Sequence, residues 1–483
     1  MSSLPGSFPL RDSFIQSNPA PDVGINVGTE LPNANSSDLV ERILLFPTYA
    51  RLEHDLANVP TFPAQSEPQL SGMSGNPSRT VWLVNVKGWV YATRAESRRR
   101  KLILSLSRRF LAPSTVDAAS RSLHDERAGM FLATSLKNVD IRVCAIGLAP
   151  SALVLKRNGI DRAVDIGEVI DHEEELEEDE IKALDCASLG TTETGITLTT
   201  DTSGFFSGTI ELPSKIVDAW RQEKDETFAD HDQIRIAAFK VGCHSLHAVG
   251  SVELISPTGI SIISDVDDTI KESSVHEGRM AAINTALFSE AKDVAGMADA
   301  YNYLRSKKVS VHYVSAGPYQ LYPMLSAFFK TSRFPPGSLN LRNVWERENM
   351  SSSTYKHNVI TRILRDFGSR QFILIGDSGE RDIEIYAKVY EAAPHQVLKV
   401  FIRDVNSHKH PAFVKSRTFP MAYREEAALT ATAAVINPLV ARAQAAFHTL
   451  HDSSWSLFKL PEAIITDTIV QHALSDDYSR ALA

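Results

Sequence analysis

The sequence predicts an α/β protein in which a mainly β, sandwich-like domain precedes a domain with a parallel sheet, between a flexible N-terminus and a helical C-terminal tail. Three observations predict this fold. The 483 residues exceed the size at which one core usually stops growing. Segments rich in β-branched and aromatic residues fill much of the first half. After Pro257, short apolar strands alternate with helical stretches.

Residues 1–80 are predicted to be largely flexible. The stretches 1–37 and 60–78 are rich in Pro, Ser, Asn and Gly and show little periodicity. Between them, residues 39–46 (LVERILLF) carry enough apolar side chains for a short docking helix, which Pro47 would end.

Residues 81–256 are predicted to form the sandwich-like domain. Its strands are expected in the segments VWLVNVKGWVYA, GITLTTDTSGFFSGTIELP and QIRIAAFKVG, which are bounded by turn residues. Helix-like insertions are expected at 98–111 and 114–134. The acidic run 173–180 is expected to be a solvated loop, because like charges repel and are costly to bury.

Residues 257–420 are predicted to form the parallel α/β domain, with strands at 260–264, 309–315, 371–376 and 397–402. Residues 421–483 are expected to form a helical tail, because the segment 425–451 is rich in Ala.

The composition excludes several classes of protein. A hydrophobic fraction of 43% with 23% charged residues is typical of a globular chain, and no apolar run reaches the length of a membrane-spanning helix. The net charge of −9 argues against general nucleic-acid binding. Three scattered cysteines and an N-terminus without a secretory pattern indicate a reducing, cytoplasmic environment.

Two carboxylates follow the first strand of the second half. Asp265 and Asp267 come directly after the apolar run 260–264, at the carboxyl end of a strand, where open α/β sheets bind their ligands. Facing one reaction centre, Asp265 can attack phosphorus to form an aspartyl-phosphate. Asp267 can then protonate the leaving alkoxide and later activate water.

Carboxylates that face a phosphate require a cation, and oxygen ligands favour a hard divalent ion such as Mg²⁺. Asp377 follows the apolar strand 371–376 and is the leading candidate for a further ligand. Asp382 is expected to ligate the ion directly or through water.

Further donors are expected to bind the phosphoryl group. Ser315 ends another apolar strand, and Lys356 lies near the start of a helix with an apolar face. Each of these residues alone has an ordinary structural interpretation, as a strand-end serine, a solvated lysine or a turn. Their order, each next to an apolar strand or helix within one stretch of the chain, makes coincidence a poor explanation.

The set Asp265, Asp267, Thr269, Ser315, Lys356, Asp377 and Asp382 resembles the four motifs of the haloacid-dehalogenase superfamily. The resemblance implies a Rossmann-like catalytic domain with Asp265 as nucleophile and Asp267 as acid and base. It implies phosphate binding by Thr269, Ser315 and Lys356. It also implies a Mg²⁺ site formed by Asp265, Asp267 through its backbone carbonyl, Asp377 and Asp382.

Longer strings resemble the fungal actin-patch-associated, Mg²⁺-dependent phosphatidate phosphatases. They are LFPTYAR at 45–51, KGWVY at 87–91, ISDVDDTIK at 263–271, GSLNLR at 337–342 and GDSGE at 376–380. This resemblance implies hydrolysis of phosphatidate to diacylglycerol and phosphate by a cytoplasmic protein at a membrane surface. It also implies cortical actin patches as a location and actin-patch or endocytic proteins as partners. The alternatives are the same chemistry on a soluble metabolite or phosphoprotein, or a membrane-associated adaptor with a vestigial site.

Two further features concern access to substrate. Only about 39 residues separate Thr269 from the next strand, which leaves little room for a cap and predicts an open site. In segment 98–110, four apolar residues share a helical face flanked by cations, among them Arg98–Lys101. The first interpretation packs this face against the sandwich, and the second places it on a lipid surface.

Overall fold

The computed structural model describes residues 39–54, 80–94, 98–111, 116–149, 194–223, 233–344, 351–405 and 437–475. The flexible stretches expected at 1–37 and 60–78 and the acidic run 173–180 lie outside these residues. None of the helices in the described part of the chain combines the length and apolar character needed to cross a membrane.

The first half forms one mainly antiparallel sheet. Its nine strands are β1 (Leu39–Leu45), β2 (Thr48–His54), β3 (Thr80–Arg94), β4 (Thr134–Ser135), β5 (Asp140–Leu148), β6 (Gly195–Thr199), β7 (Phe205–Pro213), β8 (Gln233–Lys240) and β9 (Cys243–Ile255). Strands run in the order β1-β3-β2-β9-β8-β5-β6, and β4 and β7 also pair with β3. Buried residues of β1, β2, β3, β5, β7, β8 and β9 share one apolar core, so the sheet encloses its own interior.

The docking helix predicted for residues 39–46 is wrong. Leu39–Leu45 is strand β1, which pairs antiparallel with β3 from Leu39 opposite Arg94 to Leu45 opposite Gly88. A short apolar run has no decisive periodicity, so a neighbouring strand decides its conformation. The long strand β3 provides partners for the backbone N–H and C=O groups of β1. A short helix would leave many of these groups without a partner at its two ends.

In the described part of the first half, three helices accompany this sheet: α1 (Arg98–Leu111), α2 (Ala118–Phe131) and α3 (Ser214–Glu223). The predicted helix at 98–111 is found with the same bounds, and the one predicted at 114–134 is shorter at both ends. The first interpretation of α1 is wrong, because Leu102, Ile103, Leu106 and Phe110 are exposed. Its buried apolar residue is Leu104.

The second half is built on a six-stranded parallel sheet. Its strands are β10 (Gly259–Asp265), β13 (Ser310–Pro318), β14 (Ser338–Arg342), β15 (Arg370–Asp377), β16 (Val397–Arg403) and β17 (Trp455–Phe458). The order is β14-β13-β10-β15-β16-β17, and all five pairs are parallel. The four strands predicted in this region are present within a few residues of their expected bounds. A separate two-stranded antiparallel sheet of β11 (Lys271–Glu272) and β12 (Lys292–Asp293) precedes β13.

Helices cover both faces of the parallel sheet. They are α4 (Arg279–Phe288), α5 (Met297–Ser306), α6 (Tyr322–Thr331), α7 (Ser352–Asp366), α8 (Asp382–Ala392), α9 (Pro438–Ala446), α10 (Glu462–Ile465) and α11 (Thr468–Ala473). One apolar cluster joins Ile262 of β10 to α5 and α6, and another joins Ile263 to α7 and α8. Neighbouring residues of one strand therefore face opposite cores, which explains the nearly continuous apolar sequence of these strands.

The helical tail predicted for residues 421–483 is wrong in one respect. Helices α9, α10 and α11 lie in this region, but Trp455–Phe458 is a strand that extends the parallel sheet beside β16. The segment has only four residues and no pattern of its own, so pairing with the edge of β16 selects its conformation.

Aromatic contacts join the two halves next to one strand end of the parallel sheet. Tyr319, which follows β13, packs edge-on against Phe46, Trp89 and Phe205, with ring centroids 6.3, 5.0 and 5.6 Å away. The backbone N–H of Leu339 donates to the carbonyl of Pro47 at 3.0 Å. The antiparallel sheet thus supports the loops that follow β13 and β14.

A buried histidine should make the stability of the protein depend on pH. His312 in β13 is buried, and its Nδ1 lies 2.8 Å from the Ser338 hydroxyl. Burial lowers the pKa of His312 from 6.5 to about 3. The negative charge of Glu253 acts to raise this pKa, and the positive charge of Arg370 lowers it further. The unfolded chain therefore binds a proton that the folded chain does not. This stabilisation is fully present above pH 6.5 and is lost as the pH falls towards 3.

His312→Asn should flatten the dependence of unfolding free energy on pH between these values, by up to about 1.4 kcal/mol per pH unit. Urea unfolding measured across that pH range tests this expectation. The exposed His448→Asn is the matched control and should leave the slope unchanged. Equal slopes for His312→Asn and the wild type would show that His312 is protonated in the folded state.

Candidate active site

Strand ends bring the predicted site residues together. In the parallel sheet, Asp265 at the end of β10 lies opposite Val314, the neighbour of Ser315 in β13. On the other side, Ser264 is paired with Ile375, two residues before Asp377 in β15. Because parallel strands end at one edge of their sheet, the three side chains belong to one site.

Asp265 is the buried centre of this site. Only 1% of its surface is exposed. The Thr269 hydroxyl donates to its Oδ2 at 3.1 Å, and its Oδ1 lies 2.7 Å from Nζ of Lys356. Burial raises the pKa of Asp265 well above its ordinary value; Lys356 opposes this shift, and Asp382, Asp377 and Glu380 add to it. A positive charge that approaches the carboxylate therefore favours the ionised, nucleophilic form.

Lys356 is the cation at the centre of the carboxylates. Helix α7 begins after Ser351, whose side chain caps it by accepting from the Thr354 N–H. Nζ of Lys356 lies 2.7, 2.9 and 2.8 Å from oxygens of Asp265, Glu380 and Asp382. Burial acts to lower the pKa of Lys356, but these three carboxylates raise it well above its ordinary value. Lys356 therefore stays charged at neutral pH.

Carboxylate oxygens suited to a cation surround this lysine. Asp265, Glu380 and Asp382 each offer an oxygen, and these atoms lie within 4.8 Å of one another. Asp377 adds an Oδ2 that is buried and has no hydrogen-bond partner among the described residues. Its Oδ1 accepts from the backbone N–H groups of Gly379 and Glu380, at 2.6 and 3.1 Å. An acidic set with an unpartnered buried oxygen fits a hard divalent cation.

A glycine permits the close approach of Asp382. A Cβ atom at Gly376 would lie 2.8 Å from the Cβ of Asp382 and equally close to the ring of Tyr386. The bare backbone lets Asp382 Oδ2 accept from the Asp377 N–H at 3.2 Å. Helix α8, which Asp382 begins, is thereby fixed against the end of β15.

Asp267 has a different environment from Asp265. Its side chain is 25% exposed. It accepts from Ser315 at 2.9 Å and Ser273 at 2.6 Å, and its Oδ1 lies 3.0 Å from Nζ of Lys271. Burial acts to raise the pKa of Asp267, but Lys271, Ser273 and Ser315 lower it to about 2. Two neighbouring carboxylates with pKa values shifted in opposite directions suit different chemical roles.

The two predicted phosphate-binding hydroxyls contact the aspartates in the structure. Thr269 donates to Asp265, and Ser315 donates to Asp267 while it accepts from the Gly317 N–H at 3.0 Å. The seven predicted residues therefore form two hydrogen-bonded or ion-paired groups at this sheet edge: Asp267 with Ser315, and Asp265 with Thr269, Lys356, Asp382 and Asp377. Their roles in phosphate and metal binding stay predictions.

Sequence reasoning missed four contributors. Lys271 and Ser273 fix Asp267, and Glu380 joins the carboxylates around Lys356. Arg442 of helix α9 donates to the carbonyls of Ser378 and Glu380 at 2.8 and 2.6 Å. Glu380 and Lys271 stand inside the strings GDSGE and ISDVDDTIK, which gave a signal for them. Nothing in the local sequence around Arg442 connects it with this loop.

Arg442 is also paired with Glu384 of helix α8. Its Nε and one terminal nitrogen lie 2.7 and 2.8 Å from the two carboxylate oxygens. This pairing raises the pKa of Arg442 and lowers that of Glu384, since their hydrogen bonds favour both charged forms. The guanidinium therefore joins the helix to the loop that follows Asp377.

Comparisons with known proteins agree with the position of this site. Residues 260–404, under a third of the chain, match the family model described as "Phosphatidate phosphatase APP1, catalytic domain". The chain is similar to phosphatidate phosphatase APP1 of Saccharomyces cerevisiae, 34% identical over 168 residues, which are 32% of this chain and 28% of the relative. It is also similar to an uncharacterized protein of Schizosaccharomyces pombe, 35% identical over 165 residues, or 33% and 27% of the two chains. The matches span little more than a quarter of each relative's length.

Proposed function

We propose that this chain, whose residues 260–404 belong to the catalytic-domain family of the phosphatidate phosphatase APP1, is a Mg²⁺-dependent phosphatase that hydrolyses phosphatidate to diacylglycerol and phosphate. One observation carries the chemical part of the proposal. A charged lysine lies among the buried Asp265 and two further acidic side chains, while a second, ionised aspartate, Asp267, lies at the same sheet edge. The strand order supports a Rossmann-like, haloacid-dehalogenase architecture.

The nucleophilic step is assigned to Asp265. One of its carboxylate oxygens attacks phosphorus, and the bond from phosphorus to the leaving alkoxide breaks. Thr269 and Lys356 hold the carboxylate in place at the start of the reaction. Lys356 and Ser315 are the proposed donors to the phosphoryl oxygens, where negative charge increases as the leaving group departs.

Proton transfer is assigned to Asp267. Its pKa of about 2 means that it is ionised at neutral pH before substrate binds, which suits the later activation of water. To protonate the alkoxide first, it must take up a proton when the anionic phosphoryl group arrives. A phosphomonoester, with a second pKa near 6, can bring that proton as its monoanion. Water then attacks phosphorus, gives its proton to Asp267, and releases phosphate from Asp265.

The acidic side chains are the proposed Mg²⁺ site. Asp265, Asp377 and Asp382 would hold the ion together with the backbone carbonyl of Asp267, and Glu380 is close enough to join them. Bound there, Mg²⁺ would stabilise the negative charge of the phosphoryl group.

The proposed substrate follows from the family and from the access to the site. Between Thr269 and β13 the chain forms the two short strands β11 and β12, one 3₁₀ turn and helices α4 and α5. This small insertion supports an open site that can meet a phosphate at a bilayer surface. Association with actin-patch and endocytic proteins, and a cortical location, stay expectations from the resemblance.

A substrate panel tests the proposal. Phosphate release is measured from phosphatidate, lysophosphatidate, diacylglycerol pyrophosphate and soluble phosphomonoesters, with Mg²⁺ and with excess chelator. We expect phosphatidate to be hydrolysed most efficiently, with activity lost on chelation and restored by Mg²⁺. Preference for a soluble phosphomonoester would favour the alternative substrate class. Absence of turnover on every substrate, with membrane or protein binding retained, would identify an adaptor. Full activity in chelator would remove the metal from the mechanism.

Arg442→Met should weaken the site without direct contact to substrate. The loop 378–380 would lose its charge-assisted hydrogen bonds, each of which contributes about 1.5–3 kcal/mol. We expect phosphatase kcat/KM to fall by at least about tenfold, or 1.4 kcal/mol, with a higher Mg²⁺ concentration needed for half-maximal activity. The exposed Arg365→Met is the matched control and should change neither value. An unchanged Mg²⁺ requirement in Arg442→Met would show that the loop keeps its geometry without the guanidinium.

A further inference from the structure

Helix α1 presents an apolar face to solvent. Leu102, Ile103, Leu106 and Phe110 are 60, 37, 44 and 78% exposed, and we call them the α1 face. At 100° per residue they cover an arc of about 100°, while the buried Leu104 points to the opposite side of the helix. Four large apolar side chains on one exposed arc form a patch that usually marks an interaction surface.

Another side of α1 packs against helix α2. Ser107 lies 3.0 Å from Nε2 of the buried His124, and Arg108 is paired with Asp125 at 2.8 Å. Arg100 donates to the carbonyl of Arg94 at 3.2 Å. The orientation of α1 is therefore fixed by polar contacts and by Leu104, and the α1 face does not contribute to holding the helix in place.

Packing connects α1 to the catalytic domain. His124 of α2 stacks on Phe288 of α4 with ring centroids 4.7 Å apart. Arg127 donates to the carbonyls of Ala286 and Ser289, at 2.8 and 2.6 Å. Helix α4 follows the loop that contains Ser273, which holds Asp267. Helices α1 and α4 also touch, and α4 has an exposed apolar residue of its own, Met280.

The charged residues of helix α1 are all basic. Helix α1 has six basic residues and no acidic residue, in a chain of net charge −9. Arg98 and Arg109 are exposed and lie within about 40° of the edge of the apolar arc at 100° per residue. An apolar arc with a cationic flank is the pattern of helices that lie in the interface of an anionic bilayer.

We propose that α1 docks the protein on anionic membranes. Leu102, Ile103, Leu106 and Phe110 enter the boundary between headgroups and acyl chains, and Arg98 and Arg109 contact anionic headgroups. The proposal deepens the proposed function and rests on it, because a phosphatase for a lipid must work at a bilayer surface. Docking through α1 places α4 and the loop beside Asp267 at the same bilayer.

Vesicle flotation tests the docking separately from catalysis. The probe is phosphatidylcholine vesicles with and without phosphatidylserine, neither of which contains phosphatidate. The variant Leu102→Gln, Leu106→Gln, Phe110→Gln should bind phosphatidylserine vesicles at least about tenfold more weakly than the wild type. Val241→Gln with Leu460→Gln, at two exposed apolar positions elsewhere, is the matched control and should bind normally. Asp265→Asn should also bind normally, so a protein without phosphatase activity can still support the docking proposal.

A second pair of measurements examines the charges and the helix itself. Arg98→Gln with Arg109→Gln should weaken binding to phosphatidylserine vesicles several-fold, reduce its salt dependence, and leave hydrolysis of a soluble phosphomonoester unchanged. Arg100 is left intact because it packs between the helices. Amide hydrogen exchange of residues 98–111 should slow when vesicles are added.

Three outcomes would overturn the docking proposal. One is equal vesicle binding by the wild type and the triple glutamine variant. Another is an equal loss of soluble phosphomonoester hydrolysis and vesicle binding in that variant, which would assign the α1 face to folding. The third is self-association in solution that depends on the α1 face, measured by light scattering without vesicles, which would make a second copy of the chain its occupant.

Discussion

Asp265→Asn should reduce turnover by at least about a thousandfold, equivalent to about 4 kcal/mol of transition-state stabilisation. An amide cannot attack phosphorus to form the covalent intermediate. The change is nearly isosteric, and Thr269 and Lys356 remain around position 265. Replacing a carboxylate whose burial already raises its pKa should leave the protein folded. Turnover and thermal unfolding of the purified variant are the measurements.

The companion Asp267→Asn separates the two aspartates. It should also lose nearly all turnover, but it keeps the nucleophile and lacks the base that activates water for the second step. Asp267→Asn also lacks the acid that protonates the alkoxide, so the trapping experiment needs a leaving group that departs without a proton, such as p-nitrophenolate. With such a substrate, acid quenching should trap phosphate on Asp267→Asn and none on Asp265→Asn. The exposed Asp299→Asn serves as control and should keep full activity. If either active-site variant retained more than about a tenth of wild-type turnover, its assigned role would be wrong.

Lys356→Met should both inactivate and destabilise the protein. The buried Asp265 and Asp382 and the partly exposed Glu380 would lose the cation that lies within 2.9 Å of each of them. Removal of one partner from a buried ion pair costs about 3–5 kcal/mol. The pKa of Lys356 is raised by folding, so its stabilisation is fully present below the unfolded pKa of 10.5 and is lost only above it. The whole loss should therefore appear at neutral pH.

Divalent ions and acid should each reverse part of this defect. Mg²⁺ bound among the carboxylates replaces the missing positive charge, so it should raise the melting temperature of Lys356→Met more than that of the wild type. Lower pH protonates the carboxylates and should narrow the gap between the two proteins. Thermal unfolding with and without Mg²⁺, with the exposed Lys388→Met as control, measures both effects. A variant as stable as the wild type at neutral pH would show that the carboxylates are neutral without Lys356.

The predicted site residues lie together because their signals are local. Asp265, Ser315 and Asp377 each end a short, mainly apolar run, and such runs alternating with helical segments are typical of the buried strands of a parallel sheet. Since parallel strands end at one edge, the strand ends alone predict that the three residues meet. The helix near Lys356 was equally visible, from the apolar spacing of residues 359–367.

The sequence by itself determined the parallel strands, the candidate nucleophile and the candidate metal ligands, because each prediction depends on a run of neighbouring residues. Tertiary structure alone decided that Leu39–Leu45 is a strand, that Trp455–Phe458 extends the parallel sheet, and that Arg442 supports the loop after Asp377. It also left the α1 face exposed. In each of these cases the free energy comes from a partner far along the chain, and a short segment carries too little preference of its own to reveal that partner.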